Sequence, residues 1–196
     1  MKYIIGLTGP TGSGKTTLHS AAEELGYTVV NCDIVARKAV EREDTLMALT
    51  AVFGNDILAN GVLSRAALAE KAFKDEKSTE LLNKTILPFI VKMIESEIEK
   101  SPSAKILLDA PTLYESGADK LCNAVVAVLS DVEKRRQRIL ARDIITEQAA
   151  DLRISAGQKD EFYKGKTTHI IYNNGTTAEL IASFKAIINK LEELPN

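Results

Sequence analysis

Residues Gly9-Pro10-Thr11-Gly12-Ser13-Gly14-Lys15-Thr16 match the pattern G-x-x-x-x-G-K-[ST] at every defined position. No other stretch constrains the fold as much, because the chemistry of such a turn needs a strand before it and a helix after it. Both are written in the chain. The apolar run Tyr3 to Leu7 precedes the motif, helix-forming residues from Thr16 to Leu25 follow it, and Gly26 supplies a stop signal. Glycine permits the backbone angles that aim amide N–H groups at phosphate oxygens. Lys15 adds a compact positive charge for the β- and γ-phosphates, and the Thr16 hydroxyl can enter a magnesium shell. The motif implies binding of ATP or GTP, and its bland alternative is a glycine-rich strand-to-helix turn that happens to fit.

Apolar, β-branched runs recur at Tyr3 to Leu7, Thr28 to Cys32, Lys105 to Asp109, Ala124 to Leu129 and His169 to Tyr172, with helix-like sequence between them. This alternation predicts a three-layer α/β/α fold: a five-stranded parallel sheet covered by helices on both faces. A chain of 196 residues with a hydrophobic fraction of 45% can fill one such core. Ser130 with Glu133, and Thr176 with Glu179, have capping-box spacing. The last helix sets Leu180, Ile181, Phe184, Ile187, Ile188 and Leu191 on one face. Between the second and third strands, a segment too long for a simple crossover reads as helices only: Thr45 to Phe53, Arg65 to Phe73, Ser78 to Ile86 and Pro88 to Lys100. It is expected to be an inserted helical region carrying an acceptor site. A second segment, Arg135 to Lys166, is dense in Arg and Lys and sits where a mobile cover could close over phosphates. The expected organisation is one domain, with a nucleotide-binding core at 1–44, 104–134 and 167–196, the insertion at 45–103 and a basic lid at 135–166.

Charge and cysteine usage exclude several classes. The 25 basic and 27 acidic residues leave a formal charge of −2, which implies no basic surface for nucleic acid at the level of the whole chain. Cys32 and Cys122 lack CxxC partners, and His19 and His169 have no pair spacing, so zinc and a disulfide framework are disfavoured. All four read as packing residues. The start, MKYIIGLTG, is too short for a signal h-region, and no run approaches the roughly 18 apolar residues of a membrane helix. A cytoplasmic location is expected, and the reducing cytosol suits two free thiols.

Asp33 ends the second strand in Asn31-Cys32-Asp33, at the edge where open parallel sheets bind ligands. Its carboxylate can accept the proton of an attacking hydroxyl, or cap the helix Ile34 to Glu41, or do both. Asp109 ends the third strand before Ala110-Pro111, as a magnesium-facing acid would, and equally as a turn aspartate before proline would. Arg138 and Arg142 lie four apart on one helical face and can meet charge on a transferred phosphoryl group, or form a solvated arginine face.

Nucleotide binding does not name a reaction. A GTPase switch would carry N-K-x-D and D-x-x-G, but Asn83-Lys84 is followed by Thr85-Ile86 and the chain has no D-x-x-G. A small-molecule kinase accounts for the insertion, the acid at the second strand end and the basic segment together. At this point the chain resembles the dephospho-CoA kinase family. Thr8 to Lys15 is similar to its T-G-x-x-G-S-G-K start, and Asp33-Ile34-Val35-Ala36-Arg37 to its D-x-x-A-R stretch. Gly61, Arg65, Leu68 and Phe73 match its G-x-x-x-R-x-x-L run ending in Phe, and Leu82-Asn83 with Pro88 its L-N-x-x-x-H-P element. Asp109 to Glu115 is similar to D-x-P-L-L-[FY]-E, while Arg138, Arg142-Asp143, Arg153 and Ile171-x-Asn173-x-Gly175 match its lid and last strand. The chain departs from the family at Leu87, at Thr112, and at Gly157 with Gln158 displaced by one.

The resemblance implies a nucleoside-monophosphate-kinase-like P-loop fold and transfer of the ATP γ-phosphate to the ribose 3′-hydroxyl of dephospho-CoA. It implies Asp33 as general base, with Lys15 and Arg142 also catalytic. ATP would be held by Thr11, Gly12, Ser13, Gly14, Lys15, Thr16, Thr17, Arg138, Arg142 and Asn173, the last beside adenine, and Mg2+ by Thr16 and Asp109 through water. The acceptor would meet Asp33, Arg65, Leu113 and Glu115. A monomer is expected, with ATP and dephospho-CoA as small-molecule substrates and neither nucleic acid nor membrane as partner. The rivals are a kinase for another small acceptor, such as a nucleoside monophosphate, and a nucleotide-binding regulator.

Overall fold

The computed structural model describes residues 2–193. In chain order its elements are β1 (Tyr3–Thr8), a 3-10 turn (Lys15–Leu18) running into α1 (His19–Glu24), β2 (Thr28–Asn31), α2 (Cys32–Ala39), α3 (Glu43–Phe53), β3 (Leu58–Ala59), β4 (Val62–Leu63), α4 (Arg65–Ala72) and α5 (Glu76–Lys100). There follow β5 (Lys105–Asp109), α6 (Leu113–Ser116), β6 (Ala124–Leu129), α7 (Val132–Arg142), α8 (Glu147–Ser155), α9 (Asp160–Lys164), β7 (His169–Tyr172) and α10 (Thr177–Glu193). They form two compact units, residues 1–30 with 101–196, and residues 31–100.

The first unit is built on the five-stranded sheet, in the order β2-β5-β1-β6-β7. The ladders of β1 with β5 and β6, and of β6 with β7, are all parallel. β6 shows why both faces are covered: its six residues are all buried, and alternate side chains point opposite ways. Val126 and Val128 join Ile5, Leu7, Leu18 and the α10 residues Leu180, Phe184 and Ile188 on one face. Ala127 and Leu129 pack with Tyr163 of α9 on the other. The apolar stripe expected on the last helix is the one observed. Its capping box is also present: Glu179 N–H donates to Thr176 Oγ1 (3.2 Å), and Thr176 N–H donates to Glu179 Oε2 (2.7 Å).

The spacing Ser130-x-x-Glu133 does not form a capping box. Ser130 Oγ donates instead to Asn173 O (2.7 Å), and the residue flanking α7 is Asp131. The strand end opposite Ser130 offers a buried carbonyl, and the hydroxyl satisfies it rather than a helix amide.

The second unit corrects the expectation of helices alone. Leu58–Ala59 and Val62–Leu63 pair antiparallel around Asn60-Gly61, with φ of 53° and 79° at the two turn residues. Asn-Gly is the pair that a two-residue turn with positive φ at both positions selects, and it closes a hairpin. Ser78 to Lys100 is also not two helices, because α5 runs unbroken through Pro88. Proline deletes one intrahelical bond, but Leu82, Ile90, Ile94 and Ile98 are buried along a single helix, and packing on both sides of the proline holds it together. The core of this unit gathers Leu49, Ile57, Leu68, Ala72 and Leu82.

Candidate active site

The motif loop leaves the C-terminal end of β1 at the centre of the sheet, and the structure explains both of its defining glycines. Gly9 has φ 136°, and a Cβ there would lie 2.2 Å from Val128 O. Gly14 has φ 103°, and a Cβ would lie 2.4 Å from Asn173 Nδ2. A side chain at either place is excluded by backbone angle and by space together. The loop is pinned from outside by two residues. Asn173, 5% exposed at the end of β7, donates Nδ2–H to Ser13 O (2.7 Å). Arg138 of α7 donates Nη1–H to Gly12 O (3.3 Å) and to Ser130 Oγ (2.9 Å), and Nη2–H to Asn173 O (2.9 Å). Two positions assigned to nucleotide binding, Arg138 and Asn173, are therefore tied to the loop's own backbone.

Lys15 is 8% exposed, and its ammonium donates to Gly9 O (2.7 Å) and Pro10 O (3.2 Å). Thr16 and Thr17 are exposed, while Ser13 is fully buried and its Oγ has no partner. A buried hydroxyl without a partner is a site where an acceptor oxygen fits. Asp109 lies opposite Leu7 in the ladder, two residues before Gly9. It is 5% exposed, its Oδ2 accepts from His19 Nε2 (2.7 Å), and its Oδ1 is buried without a partner. His19 was read as a packing residue, but its ring is bonded to the acid assigned to the metal. Ninety positions separate the two, so no spacing signal joins them.

Among the basic residues of α7 to α9, Arg142 donates Nε–H and Nη2–H to Asp143 (both 2.9 Å), and Arg153 donates Nη1–H to the same carboxylate (2.5 Å). The Arg142 hydrogen bond, ahead of all other causes, holds Asp143 below the usual carboxylate range and raises Arg142. Arg135 is not solvated: it is 4% exposed, 3.8 Å from Asp160, with Nε unpartnered. Leu113 is fully buried, and a Cβ on Gly6 would meet its Cδ2 at 2.7 Å. Its side chain has no exposed surface to offer an acceptor, and its place is in the packing under α6. Glu115 accepts from Gln158 (3.2 Å), the residue displaced by one from its expected position. Burial pushes the Tyr114 phenol up to about 12 and the Cys122 thiol up to about 12. Neither is a nucleophile at neutral pH.

In the second unit, Asp33 is in the first turn of α2 but is not its cap. Asn31 Oδ1 accepts from Ile34 N–H (3.1 Å), and the helix begins at Cys32. β2 ends at Asn31, one residue before the end of the expected run at Cys32, which hands the capping position to Asn31. Arg65 opens α4 after its cap Ser64 and pairs with Glu41 (2.9 Å), both well exposed. Arg65 and Arg37 stand on the lining of an apolar cavity of about 260 Å³, with Leu63, Phe73 and Ile86. That lining sets apolar surface beside two guanidinium groups.

A family model described as dephospho-CoA kinase matches residues 3–179. A dephospho-CoA kinase of Fusobacterium nucleatum is 34% identical over 178 residues, covering 90% of this chain and 92% of that protein. One of Corynebacterium glutamicum is 36% identical over 192 residues, covering 95% and 96%. Among solved structures, a Thermus thermophilus protein superposes with a TM-score of 0.80 at 27% identity, over 97% of this chain and 98% of that one. A dephospho-CoA kinase from Campylobacter jejuni shares the fold with a TM-score of 0.68 at 24% identity, over 97% and 98%.

Proposed function

This chain belongs to the dephospho-CoA kinase family, and from that membership we propose how its residues divide the reaction. The chain transfers the γ-phosphate of ATP to the ribose 3′-hydroxyl of dephospho-CoA, giving CoA and ADP. The observation that carries this is the phosphate cradle Gly9 to Thr16, fixed by Asn173 and Arg138, in a chain that the family model matches from residue 3 to 179.

The amides of Thr11 to Thr17 and the buried Ser13 hydroxyl hold the phosphates, and Lys15 exchanges its loop carbonyls for β- and γ-oxygens. Asn173 and Arg138 act by keeping the loop in shape, with adenine beside Asn173. Arg142 and its neighbour Arg153, both presented on the surface, meet charge on the transferring group. Asp33 accepts the proton of the attacking hydroxyl. Arg65 and Glu115 are each acceptor contacts. The residues present fit a magnesium ion, because a buried carboxylate oxygen of Asp109 has no partner and the Thr16 hydroxyl is exposed. Bound with the nucleotide, the ion neutralises phosphate oxygens, and Thr16 and Asp109 hold it, Asp109 through water. The protein acts as a monomer in the cytoplasm, with neither nucleic acid nor membrane as partner. Two thiols outside any disulfide and a near-balanced charge support that reading.

The test is ADP release from MgATP by the purified protein, with dephospho-CoA offered beside AMP, CMP and shikimate. Release with dephospho-CoA alone and CoA as product is expected. Faster release with another acceptor, or none above background with any, overturns the assignment.

A further inference from the structure

The contact between His19 and Asp109 is not accounted for by phosphate binding, by the acceptor or by the core. A carboxylate only accepts hydrogen bonds, so the imidazole carries its proton on Nε2 and donates it to Oδ2. The side chains are 21% and 7% exposed, respectively. One carboxylate oxygen is thereby engaged and its plane fixed, while the other, Oδ1, is buried without any partner. Such an atom is rare in a folded chain and points to a ligand that brings charge or a donor. The surroundings narrow the choice. Asp109 stands beside β1 two residues before the loop begins, and His19 lies four residues beyond Lys15. Both ends of the contact therefore belong to the frame that carries the phosphate cradle.

We propose that His19 is a positioning residue for magnesium: its hydrogen bond to Oδ2 holds the Asp109 carboxylate so that Oδ1 is the oxygen offered to the hydrated ion. This rests on the nucleotide-kinase reading above. Groups that ligate a metal are oriented by donors of this kind, and losing such a donor weakens metal affinity by roughly 10–100-fold; behind a carboxylate that meets the ion through water, the lower end of that range applies. The bond also ties α1 to β5, so a purely mechanical strap is the competing account. A strap supports the loop whether or not metal is present, whereas a positioning residue acts only on the metal-dependent part of binding.

The experiment measures ADP affinity by calorimetry, first in EDTA and then across a magnesium titration, for the wild type, His19→Ala, His19→Ser and His19→Gln. Two removal variants are used so that a folding defect in one leaves the other to report. Removing the imidazole is expected to raise the magnesium concentration for half-maximal effect about tenfold or more, with ADP affinity in EDTA within about twofold of wild type. His19→Gln, whose amide still donates, recovers part of the loss. Equal loss of affinity with and without magnesium, or an unchanged magnesium midpoint, overturns the proposal. So does a wild type that phosphorylates dephospho-CoA yet binds ADP without regard to magnesium, which leaves the kinase reading standing. If turnover with dephospho-CoA fails while the magnesium shift in His19→Ala persists, the acceptor assignment falls and this inference stands.

Discussion

At the scale of single residues, the structure decides which of two candidate jobs a side chain takes. Asp33 is the clearest case. Its two readings, base and helix cap, were equal from position alone, and the cap turns out to be Asn31. An Asp33→Asn variant therefore keeps the α2 cap and the hairpin-bearing core of the second unit. It is expected to bind ADP as wild type does and to lose about 10²–10⁴-fold in turnover, the usual worth of a positioned general base. Stopped-flow or coupled kinetics beside calorimetry checks this, and near-normal turnover would sink the assignment. Asn173 and Arg138 also hold shape. Their bonds to Ser13 O and Gly12 O give them a structural role in the loop beside the nucleotide contact expected of them. The strand-end position of Asn173 was legible, but its partner 160 residues earlier was not.

At the scale of elements, most boundaries were legible because each strand is a short β-branched run and each helix an apolar stripe. The misses have physical causes. Pro88 was read as a break, but side chains buried before and after it hold α5 as one helix. Asn60-Gly61 is a turn signal, but strands of only two residues are too short to show an alternating pattern in the sequence. The start of α10 lends itself to a pH test. Hydrogen bonds from the Thr176 backbone, first, and its hydroxyl, second, hold the Glu179 carboxyl below its ordinary value. A group whose folded value is depressed stabilises the fold above its unfolded value, near 4.3, and loses that contribution as pH falls through the folded value. Wild type should thus melt above Glu179→Ala at pH 6, and the gap should close as pH is lowered below about 4. Melting curves from pH 3 to 7 measure it; a gap that persists undiminished at pH 3 would assign the effect to packing instead.

At the scale of the whole molecule, the chain folds as two compact units, and nucleotide should stabilise the one that carries the cradle. With MgADP at about 100 times its dissociation constant, the gain is about 2.7 kcal/mol, which for a chain of this size raises the melting temperature by roughly 5–10 °C. Differential scanning calorimetry with and without MgADP checks this, and an unmoved transition counts against nucleotide binding in the cradle. Among the described residues no helix is long and apolar enough to cross a membrane. The sequence by itself determined the parallel sheet, the phosphate loop and the kinase family, because these depend on local conformation: glycine at positive φ, alternation of buried side chains, and a lysine at fixed spacing. Only the tertiary structure decided which polar atoms meet. His19 reached Asp109, Asn173 reached Ser13, Ser130 turned to Asn173 and Leu113 was buried under Gly6. Each of those partners lies on a different element, and a hydrogen bond a few ångströms long is set by how sheet and helices stack, which no local spacing encodes.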